Sequence, residues 1–132
     1  MKKFIAFLAI LCGLLTSCDI TDKDYEAMGS VYLQKARTAL KNKQFNQAKQ
    51  AIKEMRDSVP LAIESRKTGI LLMDSIELCM AQEELKAINQ QLLQSIQTSP
   101  DSLKKSFDEA CQKIKFYNRK IAHDRKSIQS IN

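Results

Sequence analysis

Four cysteines and one histidine are the side chains of this 132-residue sequence best suited to nucleophilic, redox or metal chemistry. Their spacing decides what they can do. Cys12 lies inside an apolar run, Cys18 follows Leu15-Thr16-Ser17, and Cys79 and Cys111 stand far apart downstream. No Cys-x-x-Cys pair or zinc-type Cys/His spacing is present. His123, beside Asp124 and Arg125, has no second histidine to share a ligand or relay. Glu83-Glu84 and Asp108-Glu109 are adjacent acids, and adjacent side chains on a helix do not converge on one point. Neither a glycine-rich phosphate loop nor a Gly-x-Ser-x-Gly elbow occurs. No catalytic residue, metal site or enzymatic role is expected.

One cysteine has a context of its own. Met1-Lys2-Lys3 is a short positive start, and residues 4 to 15 are a continuous apolar run. As a helix this run reaches roughly 18 Å, against the ~30 Å hydrocarbon core of a bilayer. A cleaved export signal over residues 1–17 is the expectation rather than a spanning helix. Leu15-Thr16-Ser17-Cys18 resembles the lipobox of bacterial lipoproteins, where an aliphatic and two small residues precede the modified cysteine. The resemblance implies that the Cys18 thiol accepts diacylglycerol and that the chain is cleaved at the amino side of Cys18. Each buried methylene contributes about 0.8 kcal/mol, so two or three acyl chains anchor stably. No cofactor other than this covalent lipid is expected.

Residues 18–24 read as an acidic tether, with Asp19, Asp22 and Asp24 followed closely by Glu26. An aspartate directly after the cysteine resembles the enterobacterial inner-membrane retention signal. Acidic residues in that place also resemble a surface-display signal of other Gram-negative bacteria. The expected location is the outer membrane, on its periplasmic or surface face. The whole chain carries +6; without Lys2 and Lys3, nineteen basic side chains face fifteen acidic ones, a net of +4. That mild excess on an exported chain does not point to nucleic acid.

The elements beyond the tether read as helices throughout, an all-α chain punctuated by Pro60 and Pro100. Met28, Val31, Tyr32, Ala36, Ala39 and Leu40 recur at helical spacing, then Asn42-Lys43-Gln44 interrupts. Phe45, Ala48, Ile52, Met55 and Val59 follow at steps of three and four up to Pro60. The pair over residues 25–60 resembles one tetratricopeptide repeat, on Tyr32, Ala36, Phe45, Ala48, Ile52, Met55 and Pro60. It departs from that pattern where Ala36 replaces a common glycine and the turn lacks Gly-Asp or Gly-Asn. One such repeat cannot cover its own faces, so the rest of the chain must pack on it.

Residues 61–130 read as a long antiparallel, coiled-coil-like helical hairpin. Leu71, Leu78, Leu85 and Leu92 repeat by seven, with Ala81 and Ile88 between them and Ile76, Leu93 and Ile96 broadening the stripe. Ser99-Pro100-Asp101 opens the second arm with a cap, a first-turn proline and an acid against the helix dipole. Leu103, Phe107, Ala110, Ile114, Tyr117, Ile121 and Ile128 then form the facing stripe, with Asp124 in one seam position. This hairpin sets Cys79 and Cys111 about eight residues, roughly 12 Å, out of register. Bridging needs Cα atoms within about 7 Å, so two free thiols are expected.

The last arm is basic, with Lys104, Lys105, Lys113, Lys115, Arg119, Lys120, Arg125 and Lys126. Tyr32 in the repeat-like pair, and Lys115, Arg119 and Lys120 here, are the candidate partner-binding residues. The expectation is a membrane-anchored envelope lipoprotein serving as a helical interaction adaptor or scaffold for another envelope protein. The alternatives are a self-associating coiled-coil lipoprotein, hence a homo-oligomer, and a binder of envelope polyanions through the basic arm.

Overall fold

The breaks in helical pattern set the element ends in the computed structural model, which describes residues 21–94 and 101–130. The chain is all-α: α1 (Asp22–Lys41), α2 (Phe45–Ser58), α3 (Ile63–Gln94) and α4 (Asp101–Ser130). At the start of α1 the Asp24 carboxylate accepts the Thr21 amide and hydroxyl, both at 2.9 Å, half of a capping box. Its far end closes as a Schellman motif, with Gln44 N–H donating to Ala39 O and Lys43 N–H to Leu40 O, each at 2.9 Å. Lys43 occupies the left-handed position of that motif at φ 58°, where glycine is usual.

Small residues let α1 and α2 approach closely. Ala36, Ala39, Ala48 and Ala51 are buried between them, together with Leu33, Ile52 and Met55. Ile76 of α3 completes this core, and Leu72, Met73 and Met80 pack against it. Gly69 is more than a weak point in α3, because the Met55 methyl lies 2.7 Å from where a Cβ would stand. Met28 and Val31, expected on the packed face of α1, are instead 50% and 67% exposed, and Gly29 and Leu33 take the buried positions.

α3 has two packed faces. Ser65, Gly69 and Ile76 turn toward α1 and α2. Asp74, Ala81 and Ile88, spaced by seven, are buried on the face toward α4. Ile76 therefore does not broaden the hairpin stripe as expected; it lies on the opposite side of the helix. The α3–α4 register is read from Lys120 with Asp74 at 2.7 Å and Lys113 with Glu84 at 2.8 Å, an antiparallel pairing. Cys79 and Cys111 are free, several residues apart in that register.

The start of α3 is fastened to α1. Its amide groups at Glu64 and Ser65 donate to the Glu26 carboxylate, both at 2.9 Å, and the Ser65 hydroxyl adds a bond of 2.8 Å. A side chain from another helix thus satisfies donors that a helix leaves unpaired at its N-terminus. Burial alone would raise the pKa of Glu26, but the bonds from Ser65 and the two amides hold it below the usual carboxylate value. At the other end of the α1–α2 pair, Lys43 meets Glu83 at 2.9 Å. Beyond Glu83, α3 continues about 17 Å to Gln94, along the antiparallel α4.

Candidate interaction surface on the last helix

α4 touches only α3. A helix packed on one side leaves a broad face to solvent, and of its thirty residues only Ala110 is fully buried. Ion pairs sort its basic side chains. Lys104 and Lys105 pair within the helix with Asp101 and Glu109, at 4.0 and 3.9 Å. Lys113 reaches Glu84 across the hairpin, and Lys120 bridges Asp74 and Asp124. Lys115, Arg119, Arg125 and Lys126 are exposed and have no ion pair among the described residues.

Phe116 stands next to the first of these cations, 57% exposed, with its ring edge-on to Tyr117 at 5.1 Å between centroids and 77° between planes. An open hollow beside it is lined by Glu109, Gln112, Lys113, Phe116 and Tyr117. Lys115 and Arg119, one helical turn apart, share a face. The surface thus offers an exposed aromatic ring flanked by cations that have no ion pair among the described residues. That combination suits a partner with acidic and apolar groups.

The four candidate partner-binding residues do not form one site. Lys115 and Arg119 lie together on α4. Tyr32 is half-buried against the α1–α2–α3 core, and its ring is used in packing. Lys120 lies in the hairpin seam, where its ammonium donates to Asp124 at 2.6 Å and to both Asp74 oxygens at 2.9 and 2.7 Å. Hydrogen bonds to Asp124 and then Asp74 raise its pKa. The Asp124 carboxyl is lowered to about 2, first by Lys120 and next by His123, whose Nδ1 is 3.1 Å away.

Phe116 lies outside the apolar stripe of α4, and an aromatic in that place is a signal in the sequence that points to this surface. Cys18, Leu15, Thr16 and Ser17 lie outside the described residues. Among the described residues no helix is long and apolar enough to cross a membrane, and no group of three His, Cys, Asp or Glu side chains is placed to hold a metal ion. In comparisons with known proteins, no family model matches the chain, and neither a curated protein nor a solved structure is significantly similar to it.

Proposed function

We propose that this chain is a lipid-anchored envelope protein, held on a membrane by Cys18, that works as a helical interaction adaptor. The observation that carries the reading is the free face of α4, where Lys115, Phe116 and Arg119 are exposed and the two cations have no ion pair among the described residues. The partner this face fits is another envelope protein presenting carboxylates beside apolar side chains. No reaction is assigned to the chain.

Two experiments bear on it. Cys18→Ala is expected to release the protein from membranes or leave an uncleaved precursor; normal processing with unchanged membrane fractionation would remove the anchor. In-cell crosslinking of the lipidated protein, followed by mass spectrometry, is expected to give a discrete heterologous partner with crosslinks on Lys115 or Lys126. Crosslinks only to itself would favour self-association instead. That second reading draws on Leu93, 81% exposed near the end of the α3–α4 hairpin.

A further inference from the structure

The two ends of the domain differ in what they expose, and only one of them carries Thr21, where the described chain begins. Gly29 of α1 packs so closely on Ala62 and Ser65 that an added Cβ would stand 2.9 Å from the Ala62 Cβ and 2.6 Å from that of Ser65. Glu26 caps the amides of Glu64 and Ser65 at the same level. The first turns of α1 and the α2–α3 turn are therefore one end of the domain. Arg66 fixes that turn by donating to Pro60 O at 2.9 Å. This end carries four large apolar side chains in solvent: Met28 50%, Val31 67%, Leu61 55% and Ile63 53% exposed. Leu61 and Ile63 flank the buried Ala62.

We infer that this end of the domain rests on the bilayer, with Leu61 and Ile63, joined by Met28 and Val31, seated in the lipid interface. The inference rests on the reading of Cys18 as the lipid anchor. From Cys18 to Thr21 the chain spans at most about 11 Å even when fully extended. Met28 lies about 10 Å further along the helix. So short a connection holds this end, and not the far end of α3 some 48 Å away, against the headgroups. Asp19 lies between the anchor and α1, Asp22 and Asp24 outnumber Lys23 in its first turn, and Lys67 nearby is paired with Glu64. Attraction to anionic lipid is therefore not the driving force. Burial of apolar surface in the interface is, as for other apolar segments brought close to a membrane by an acyl anchor. The domain then stands with its α3–α4 hairpin directed away from the lipid and the free face of α4 accessible from the side.

The chain contains no tryptophan, so a single one introduced at an exposed position reports its own surroundings. The full lipidated protein is placed in phosphatidylcholine vesicles with brominated acyl chains, as the variants Leu61→Trp, Ile63→Trp and Leu93→Trp. Flotation reports the anchor and tryptophan emission reports the docking. Leu61→Trp and Ile63→Trp should be blue-shifted and quenched, insensitive to added salt, while Leu93→Trp emits as in water. Vesicles that float with the protein but leave Leu61→Trp and Ile63→Trp as water-exposed as Leu93→Trp would overturn the docking and spare the anchor. Equal quenching at all three positions would also overturn it. Failure to float would overturn the anchor and the docking together.

Discussion

The Lys120 ammonium lies 2.9 and 2.7 Å from the two carboxylate oxygens of Asp74, the one charged residue buried in α3. Asp74 holds the same heptad position as Ala81 and Ile88, and Asp124 holds the facing seam position on α4. Two acids thus meet in an otherwise apolar seam, and one lysine satisfies both. A polar layer of this kind tolerates one alignment, because sliding α4 by a turn carries Lys120 and Asp124 away together and leaves the buried Asp74 without its cation. Lys120→Met should destabilise the protein by about 1–3 kcal/mol, the lower end reflecting an ammonium still in partial contact with water. Replacing the whole layer, as Asp74→Leu with Lys120→Met and Asp124→Leu, should recover most of that loss. Chemical denaturation of the variants measures both, and Lys120→Met within about 0.5 kcal/mol of the parent would show that the seam does not depend on this cluster.

The same cluster sets a pH window. Asp124 titrates at about 2 in the folded protein, held there first by Lys120 and then by His123. A carboxyl lowered on folding adds stability above its unfolded value near 3.9, and that stability disappears as pH falls toward the folded value. Lys120 is raised on folding, so its contribution is complete below the unfolded value near 10.4 and is lost as pH rises through the folded one. The facing groups are Asp74 from α3 and Asp124 and His123 from α4. Amide exchange along α4 should therefore be slowest, relative to its intrinsic rate, between these limits. Asp124→Asn should flatten the acid limb, and an acid limb unchanged in that variant would assign it to other carboxylates.

Much of this fold was readable because local signals agree with it. Asn42-Lys43-Gln44 and Pro60 end helices, Asp101 begins one, and the sevenfold spacing of Leu71 to Leu92 lies on the α4 side of α3. What was hidden has a common physical cause. A helix buried on two faces superimposes two apolar patterns, so spacing groups Ile76 with the hairpin stripe although it packs on α1 and α2. Stripe reading also passes over polar and small residues: Asp74 and Gly29 stand out in no stripe, and Glu26 reads only as one more acid beside the tether. Each of these matters through a residue at least 33 positions away, and no local pattern encodes such distances. Lys120 looked like a surface cation for the same reason.

Lys43 supports a prediction of opposite sign. A non-glycine residue in the left-handed region costs about 1–2 kcal/mol, and Lys43 sits there at φ 58°. Lys43→Gly removes that cost but gives up an exposed pair with Glu83, worth about 0–1 kcal/mol, and adds freedom to the unfolded chain. The net gain should be about 0.5 kcal/mol. Lys43→Ala loses the pair and keeps the strained conformation, so its stability should fall slightly. Urea denaturation of the two variants separates the terms, and Lys43→Ala matching Lys43→Gly would show that backbone strain is not the issue.

The junction of α1 and α3 should be sensitive to single atoms. Glu26→Ala leaves the Glu64 and Ser65 amides and the Ser65 hydroxyl without their acceptor, at about 1–2 kcal/mol. Gly29→Ala improves helix propensity by about 1 kcal/mol, yet its Cβ meets Ser65 at 2.6 Å, and overpacking of this kind costs about 1–3 kcal/mol. Net destabilisation is expected for both, with faster amide exchange confined at first to the start of α3. Thermal melts that rise for Gly29→Ala would mean that the helices separate there without loss.

The free face of α4 should behave in the opposite way to the seam that lies behind it. Lys115, Phe116 and Arg119 contribute little to burial, so Lys115→Glu with Arg119→Glu should leave stability within about 0.5 kcal/mol of the parent. Recognition of an acidic partner should nevertheless be lost, because two attractions become two repulsions at one surface. Phe116→Ser tests the apolar part separately and should weaken crosslinking without changing its salt dependence. Arg119→Lys keeps the charge and should retain most of the binding. In-cell crosslinking yields compared across these variants make the test quantitative. A charge-reversed protein that still captures the same partner at full yield would move the interface off α4, and Leu93 at the hairpin end would be the next surface to alter.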